Sequence, residues 1–129
     1  VQQKLRPAIA AGKLILADRF ISSTLAYQGS AGGLPTQDIL DVGHFALNDV
    51  WPDLFVIFDV DDKTAAGRLN PLLDRIELKS AEFHRKVRQG YLDQAQSDPN
   101  GYAVIDARPD ENTVHDQLLK TIRERLVGE

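Results

Sequence analysis

Asp18 and Arg19 stand side by side directly after the apolar run Leu14-Ile15-Leu16-Ala17. Adjacent opposite charges at the end of a buried strand suit either of two purposes. They form a structural ion pair, or they divide the work of binding phosphate: the guanidinium offers a planar fork of donors that matches phosphate oxygens, and the carboxylate holds Mg²⁺ directly or through water. Downstream lies Ser22-Ser23-Thr24-Leu25-Ala26-Tyr27-Gln28-Gly29. If this string is helical, Thr24 and Gln28 share one face, and Ser23 and Tyr27 share a neighbouring one. A glutamine amide places a donor beside an acceptor, the complement of a pyrimidine edge that shows an N–H beside a carbonyl, and Tyr27 adds a flat wall. The plainer reading is a polar helix start, with Ser and Thr capping and Gln28 in solvent.

The elements that must position these residues follow an alternating pattern. Val1, Leu5 and Ile9 recur at helical spacing, and Gly12 stands where a left-handed cap would end that helix near Ala11. Three short apolar runs, Leu14 to Ala17, Leu54 to Phe58 and Tyr102 to Ile105, read as strands buried on both faces of a parallel sheet. Each ends in an acid, Asp18, Asp59 and Asp106, and each precedes a turn and a helical segment. Thr36 is expected to cap a helix whose Ile39, Ala46, Leu47 and Val50 face the sheet, and Asp61 to cap a short one holding Ala65 and Leu69. A longer helix from about Ser80 carries Phe83, Val87, Tyr91 and Ala95 on one stripe, until Asp98-Pro99-Asn100-Gly101 turns the chain. The last helix, from about Asp110, carries Val114, Leu118, Ile122 and Leu126 on its inner face. Parallel strands joined this way need right-handed crossovers, and ligands bind outside their carboxyl ends, which puts Asp18-Arg19, Asp59 and Asp106 on one rim. Taken singly, Asp59 and Asp106 read equally as acids that steady the next turn.

The 129 residues suit one domain, and 43% hydrophobic with 26% charged residues is a globular composition rather than a disordered one. Fifteen basic residues against nineteen acidic ones, a net charge of −4, argue against nucleic acid or an anionic membrane as partner. The absence of cysteine removes disulfides, thiolate metal sites and cysteine nucleophiles together. Leu54 to Phe58, the longest apolar run, is too short to span a bilayer, and Val1 to Ala11 is too polar for a signal peptide, so the expected location is the cytoplasm. With no Met, and with Val1 opening what reads as a helix already under way, the chain is expected to be a fragment.

The string Asp18 to Gly29 closely resembles the Asp-Arg-Tyr motif region of thymidylate kinases, the P-loop enzymes that phosphorylate dTMP with ATP. Gly12-Lys13, Pro52-Asp53-Leu54, Phe58-Asp59-Val60-Asp61, Asp74-Arg75-Ile76-Glu77, Glu82-Phe83-His84, Val87-Arg88, Gly90-Tyr91 and Val104-Ile105-Asp106-Ala107 resemble the same family in order and spacing. The resemblance implies a parallel three-layer α/β fold of the P-loop kinase type, here a single domain over residues 1–129 with the third, fourth and fifth strands and their flanking helices.

It also implies roles. Arg19 would contact the phosphates at the transfer site, and Asp18 would organise Mg²⁺, through water. Ser23, Thr24, Tyr27 and Gln28 would bind dTMP, with Thr24 and Gln28 on the thymine edge and Tyr27 against the sugar. Arg75 falls in a lid-like segment, 68–79, that closes over the ATP phosphates. The loop before it, Asn70-Pro71-Leu72-Leu73-Asp74, lacks a basic residue, so Arg68 on the preceding helix either compensates or is a solvated helix-face arginine. Ala107 and Arg108 match the loop beside adenine. A homodimer built partly by the Thr36 to Val50 segment is implied as well. Arg85, Lys86 and Arg88 read as a charged helix face, and His44, His84 and His115 show no carboxylate spacing suited to a metal.

One expected feature is absent. A phosphate-cradling loop needs Gly-x-x-x-x-Gly-Lys-Ser/Thr, and no such string occurs, since Gly29 to Gly33 contains no lysine. The expectation is therefore the carboxyl-terminal part of a dTMP kinase, inactive alone. The alternatives are a kinase for another nucleoside monophosphate and a non-catalytic binding or dimerisation module on the same fold. In the family's strand order, 2-3-1-4-5, a missing first strand leaves a central gap that must close, be filled, or hold a segment not seen.

Overall fold

The computed structural model describes residues 3–48, 50–68 and 81–128. Arg75, and nearly all of the lid-like segment, lie outside the described residues. Helix α1 (Leu5–Ala10) ends as its sequence predicts, with Gly12 at φ +69° donating its N–H to the Ile9 carbonyl.

The next run departs from expectation. Leu14 to Ala17 is not a strand: it lies without a ladder partner among the described residues, and Leu14 and Leu16 are 71% and 82% exposed. The sheet has two strands, β1 (Phe55–Asp59) and β2 (Tyr102–Asp106), parallel and in register from Phe55 opposite Tyr102 to Asp59 opposite Asp106. The three-strand expectation is therefore corrected to two, and the Leu14 run neither pairs with β1 nor has its place in the ladder taken by another described segment. The physical reason is that apolar side chains give a segment β propensity, but a ladder needs a neighbour for its N–H and C=O groups.

After Phe20 comes α2 (Ile21–Thr24), which runs on into a wider turn of five-residue spacing over Leu25–Ser30. Helix α3 (Thr36–Leu47) starts at Pro35, whose fixed φ suits the helix entrance. Thr36 is its first helical residue and makes no capping bond, and Asn48 closes it in the left-handed conformation at φ +46°. Ile39, Gly43 and Leu47 are buried, whereas Ala46, expected to face inward, is exposed. Helix α4 (Asp62–Arg68) is capped as expected, the Asp61 Oδ1 accepting the Thr64 N–H at 3.0 Å.

Helix α5 (Ala81–Ser97) buries Val87, Gly90 and Ala95 and half-buries Phe83 and Tyr91, the predicted stripe with Gly90 added. Gly90 allows a close approach: a Cβ there would stand 2.6 Å from the Ser30 Cβ and 3.2 Å from the Ala26 Cα. The Asp98–Gly101 turn forms, the Asp98 carboxylate accepting the Gly101 N–H. Helix α6 (Glu111–Ile122), continued by a wider turn over Arg123–Val127, is capped by Asp110, which accepts from the Thr113 N–H and hydroxyl. Its inner face is only half covered, and Leu126 is largely exposed rather than buried.

Phe55, Ile57, Ala95 and Tyr102 make the core, surrounded by Phe20, Ile21, Trp51 and Tyr91. Phe55 and Tyr102, register partners, stack at 4.6 Å. Phe58 and Val104, on opposite faces of the sheet by its register, remain about half exposed, whereas Ala103 and Ile105 are buried. No helix among the described residues is long and apolar enough to cross a membrane.

Candidate functional site

The Asp18-Arg19 pair and the helix after it form one side of the site. Arg19 has φ +64°, a left-handed backbone that costs an L-residue about 1–2 kcal/mol and marks strain of the kind found at functional positions. Its guanidinium lies over the Tyr27 ring, 5.2 Å from the centroid, with Nη2 3.5 Å from the Tyr27 hydroxyl. It does not pair with Asp18. Among the described residues Asp18 is exposed and has no hydrogen bond or ion pair, so the structural ion-pair reading is not what the geometry shows.

The predicted division of faces is present. Thr24 and Gln28 both line a cavity of about 410 Å³ between this helix and α3, with Phe20, Ile39, Val42 and Leu47 supplying apolar wall. Ser23 and Tyr27 turn the other way, to α5. The Ser23 hydroxyl shares a 2.7 Å hydrogen bond with the Tyr91 hydroxyl, and Tyr27 meets the Phe83 ring edge-on at 6.1 Å. Ser23, named from sequence beside Thr24 and Gln28, is thus engaged by protein.

The carboxyl ends of β1 and β2 form the other side. Arg88 grips Asp59 with two bonds, Nε to Oδ1 at 2.7 Å and Nη2 to Oδ2 at 2.9 Å, which corrects its reading as part of a solvated helix face. The Asp59 carbonyl accepts the Ala107 N–H at 2.9 Å. Arg68 is likewise not a free helix-face cation, since Nη1 donates to the Ala107 carbonyl and Nη2 to the Arg108 carbonyl, both at 2.7 Å. The structure therefore brings Arg68, Ala107 and Arg108 together, beside a cavity of about 610 Å³ that Phe58, Arg68, Ala107, Pro109, His115 and Leu118 help to line.

Charge on this rim is internally balanced. Arg108 donates to the Asp106 carboxylate from Nε, Nη2 and its backbone N–H and holds that carboxyl down to about 2, so the pair is ionised at neutral pH. Bonds from Thr64 lower Asp61, and bonds from Thr113 lower Asp110. Burial, with the Asp98 charge nearby, pushes the Tyr102 phenol up to about 12, so it remains a donor. Guanidinium partners on Asp59 and Asp106 remove much of the repulsion that a polyphosphate would otherwise meet there.

Among the described residues no group of three His, Cys, Asp or Glu side chains could hold a metal ion. A single free carboxylate such as Asp18 fits a Mg²⁺ ion carried chiefly by substrate phosphates and water, the usual way that ion is held, and does not fit a protein-built cage. The sequence missed the two long-range arginine contacts, Arg88 to Asp59 and Arg68 to the 107–109 loop, because partners 29 to 41 positions apart leave no local signal.

Comparison with known proteins follows the same lines. Residues 1–118 match the family model for thymidylate kinase. A thymidylate kinase from Geobacillus sp. (strain WCH70) is 37% identical over 130 residues, covering 98% of this chain and 62% of that protein. One from Kosmotoga olearia is 38% identical, covering 93% of this chain and 59% of that protein. The crystal structure of thymidylate kinase from Ehrlichia chaffeensis superposes with a TM-score of 0.70 at 30% identity, over 94% of this chain and 55% of that one. The chain spans about three fifths of the length of the curated relatives it matches.

Proposed function

The chain belongs to the thymidylate kinase family, and from that premise we propose that it supplies the acceptor-recognition elements and the adenine side of the donor site in an enzyme that transfers phosphate from ATP to dTMP. The observation that carries this reading is the pairing of Thr24 and Gln28 on one cavity wall, with the strained, phosphate-suited Arg19 held over Tyr27 on the neighbouring face of the same helix. A cavity of a few hundred cubic ångströms with apolar walls and few polar groups is what a flat base requires.

In this reading Thr24 and Gln28 bind the thymine edge, Tyr27 packs on the sugar, and Ser23 acts indirectly. Arg19 neutralises charge on the transferring phosphoryl group, and its Tyr27 contact preorganises it, so less freedom is lost on binding. Asp18 would hold Mg²⁺ through water, and that ion when bound neutralises phosphate charge. Arg68 fixes the Ala107–Arg108 loop that borders adenine. Arg75 is assigned to the phosphates by its motif, Asp74-Arg75-Ile76-Glu77. Because phosphoryl transfer asks little covalent chemistry of a protein, positioning and charge neutralisation suffice. These 129 residues contain no Gly-x-x-x-x-Gly-Lys-Ser/Thr string, so by themselves they are proposed to be inactive. A cytoplasmic location is part of the same proposal.

The test is acceptor selection. The full-length gene product, given Mg–ATP and each nucleoside monophosphate in turn, is expected to form dTDP with the highest kcat/KM. A preference for another acceptor would move the assignment to a different nucleotide kinase, and no transfer to any would favour a non-catalytic module. The protein is also proposed to be a homodimer through α3, whose Phe45 is 89% exposed beside exposed Val42. Light scattering at tens of micromolar should give twice the protomer mass, and a monomer would contradict it.

A further inference from the structure

Helix α5 meets the acceptor helix at more than an apolar stripe. Tyr91 reaches the Ser23 hydroxyl at 2.7 Å. Three residues on, Gln94 spends both halves of its amide: Nε2 donates to the Ser22 carbonyl at 3.1 Å, and Oε1 accepts the Tyr102 hydroxyl at 3.0 Å. Ser22 and Ser23 sit in the last regular turn before the helix widens at Leu25, where its register is least constrained by its own hydrogen bonds. Gly90 sets the depth of the contact against Ala26 and Ser30.

We propose that Tyr91 and Gln94 are positioning residues for acceptor recognition, clamping Ser23 and Ser22 to α5 and β2 so that Thr24 and Gln28 face the cavity. The proposal rests on the reading of Thr24 and Gln28 given above. Rotation of the helix by one residue, about 100°, would carry both side chains off the cavity wall. Two hydrogen bonds at adjacent residues, each from α5, oppose that rotation. The chain Ser22–Gln94–Tyr102 extends the constraint to the core, since Tyr102 is buried and stacked on Phe55. Ser23 then contributes to acceptor binding through Tyr91, without touching the nucleotide.

The experiment is a double-variant cycle on the full-length gene product, with Tyr91→Phe, Ser23→Ala, the pair together, and Gln94→Leu as a separate arm. KM for dTMP is expected to rise about threefold to tenfold in Tyr91→Phe and in Gln94→Leu, with KM for ATP changed by less than about twofold. Adding Ser23→Ala to Tyr91→Phe should raise it by no more than about twofold further. Amide hydrogen exchange over Leu25–Ser30 should quicken in the same variants. A merely structural contact would lower the unfolding midpoint and leave the KM ratio unchanged, which would overturn the proposal. Independent, multiplying effects of Ser23→Ala and Tyr91→Phe would overturn it too, because Ser23 would then act on the nucleotide itself. An unsubstituted protein that does not phosphorylate dTMP would overturn the acceptor reading and this proposal with it, a result distinct from an active enzyme whose dTMP KM is indifferent to the clamp.

Discussion

Replacing Arg19 with Ala in the full-length gene product is expected to lower kcat/KM for dTMP phosphorylation by about 100-fold to 1000-fold, while the protein remains folded. The magnitude follows from the role: a preorganised donor aimed at charge that develops in the transition state is worth roughly 3–4 kcal/mol. The survival of the fold follows from the surroundings. Among the described residues Arg19 touches only Tyr27, through a long hydrogen bond and a cation–π contact at an exposed position, worth about 0.5–1 kcal/mol. The left-handed backbone at residue 19 strains Ala much as it strains Arg, so the substitution relieves nothing there. Arg19→Lys should recover part of the rate, since it restores the charge without the fork. A loss below about tenfold, roughly 1.4 kcal/mol, would contradict a role at the transferring phosphate.

Much of this site was legible because its signals are local. The i, i+4 spacing that divides Thr24 and Gln28 from Ser23 and Tyr27 survives in the structure, even though the helix widens at Leu25. Asp61 and Asp110 cap the helices that follow them, and the Asp98 turn forms as its residues require. What failed was non-local. Leu14 to Ala17 has the composition of a buried strand, but no described strand lies beside it, so those apolar side chains stay exposed. Arg68 and Arg88 read as solvated because a helical wheel shows only neighbours three and four residues away. Their partners come from loops and strand ends that the fold alone brings near. Gln94 carried no signal at all: a polar residue beside a core stripe is ordinary, and only the packing of α5 between the Ile21–Ser30 helix and β2 turns it into a bridge.

The second large effect is expected at Gln28. Its side chain is exposed and forms no described hydrogen bond, so the fold does not depend on it. In the complex, however, a base edge would be withdrawn from water against that wall. Leucine at this position fills similar space and offers no partner, leaving a donor and an acceptor of the base unpaired at about 1–3 kcal/mol each. The expected consequence in Gln28→Leu is a fall of about 30-fold or more in kcat/KM for dTMP. In the proposed reading ATP lies on the opposite side, near Arg68 and the 107–109 loop, so its binding should be nearly unaffected.

The central claim is that the Asp18 to Gly29 segment reads the acceptor nucleotide. Its most direct test is the pair of KM values for dTMP and ATP in Gln28→Leu, measured beside the unsubstituted full-length gene product. The account predicts a large rise for dTMP with KM for ATP held within about twofold. Equal rises for both nucleotides, or a dTMP value that does not move, would contradict it.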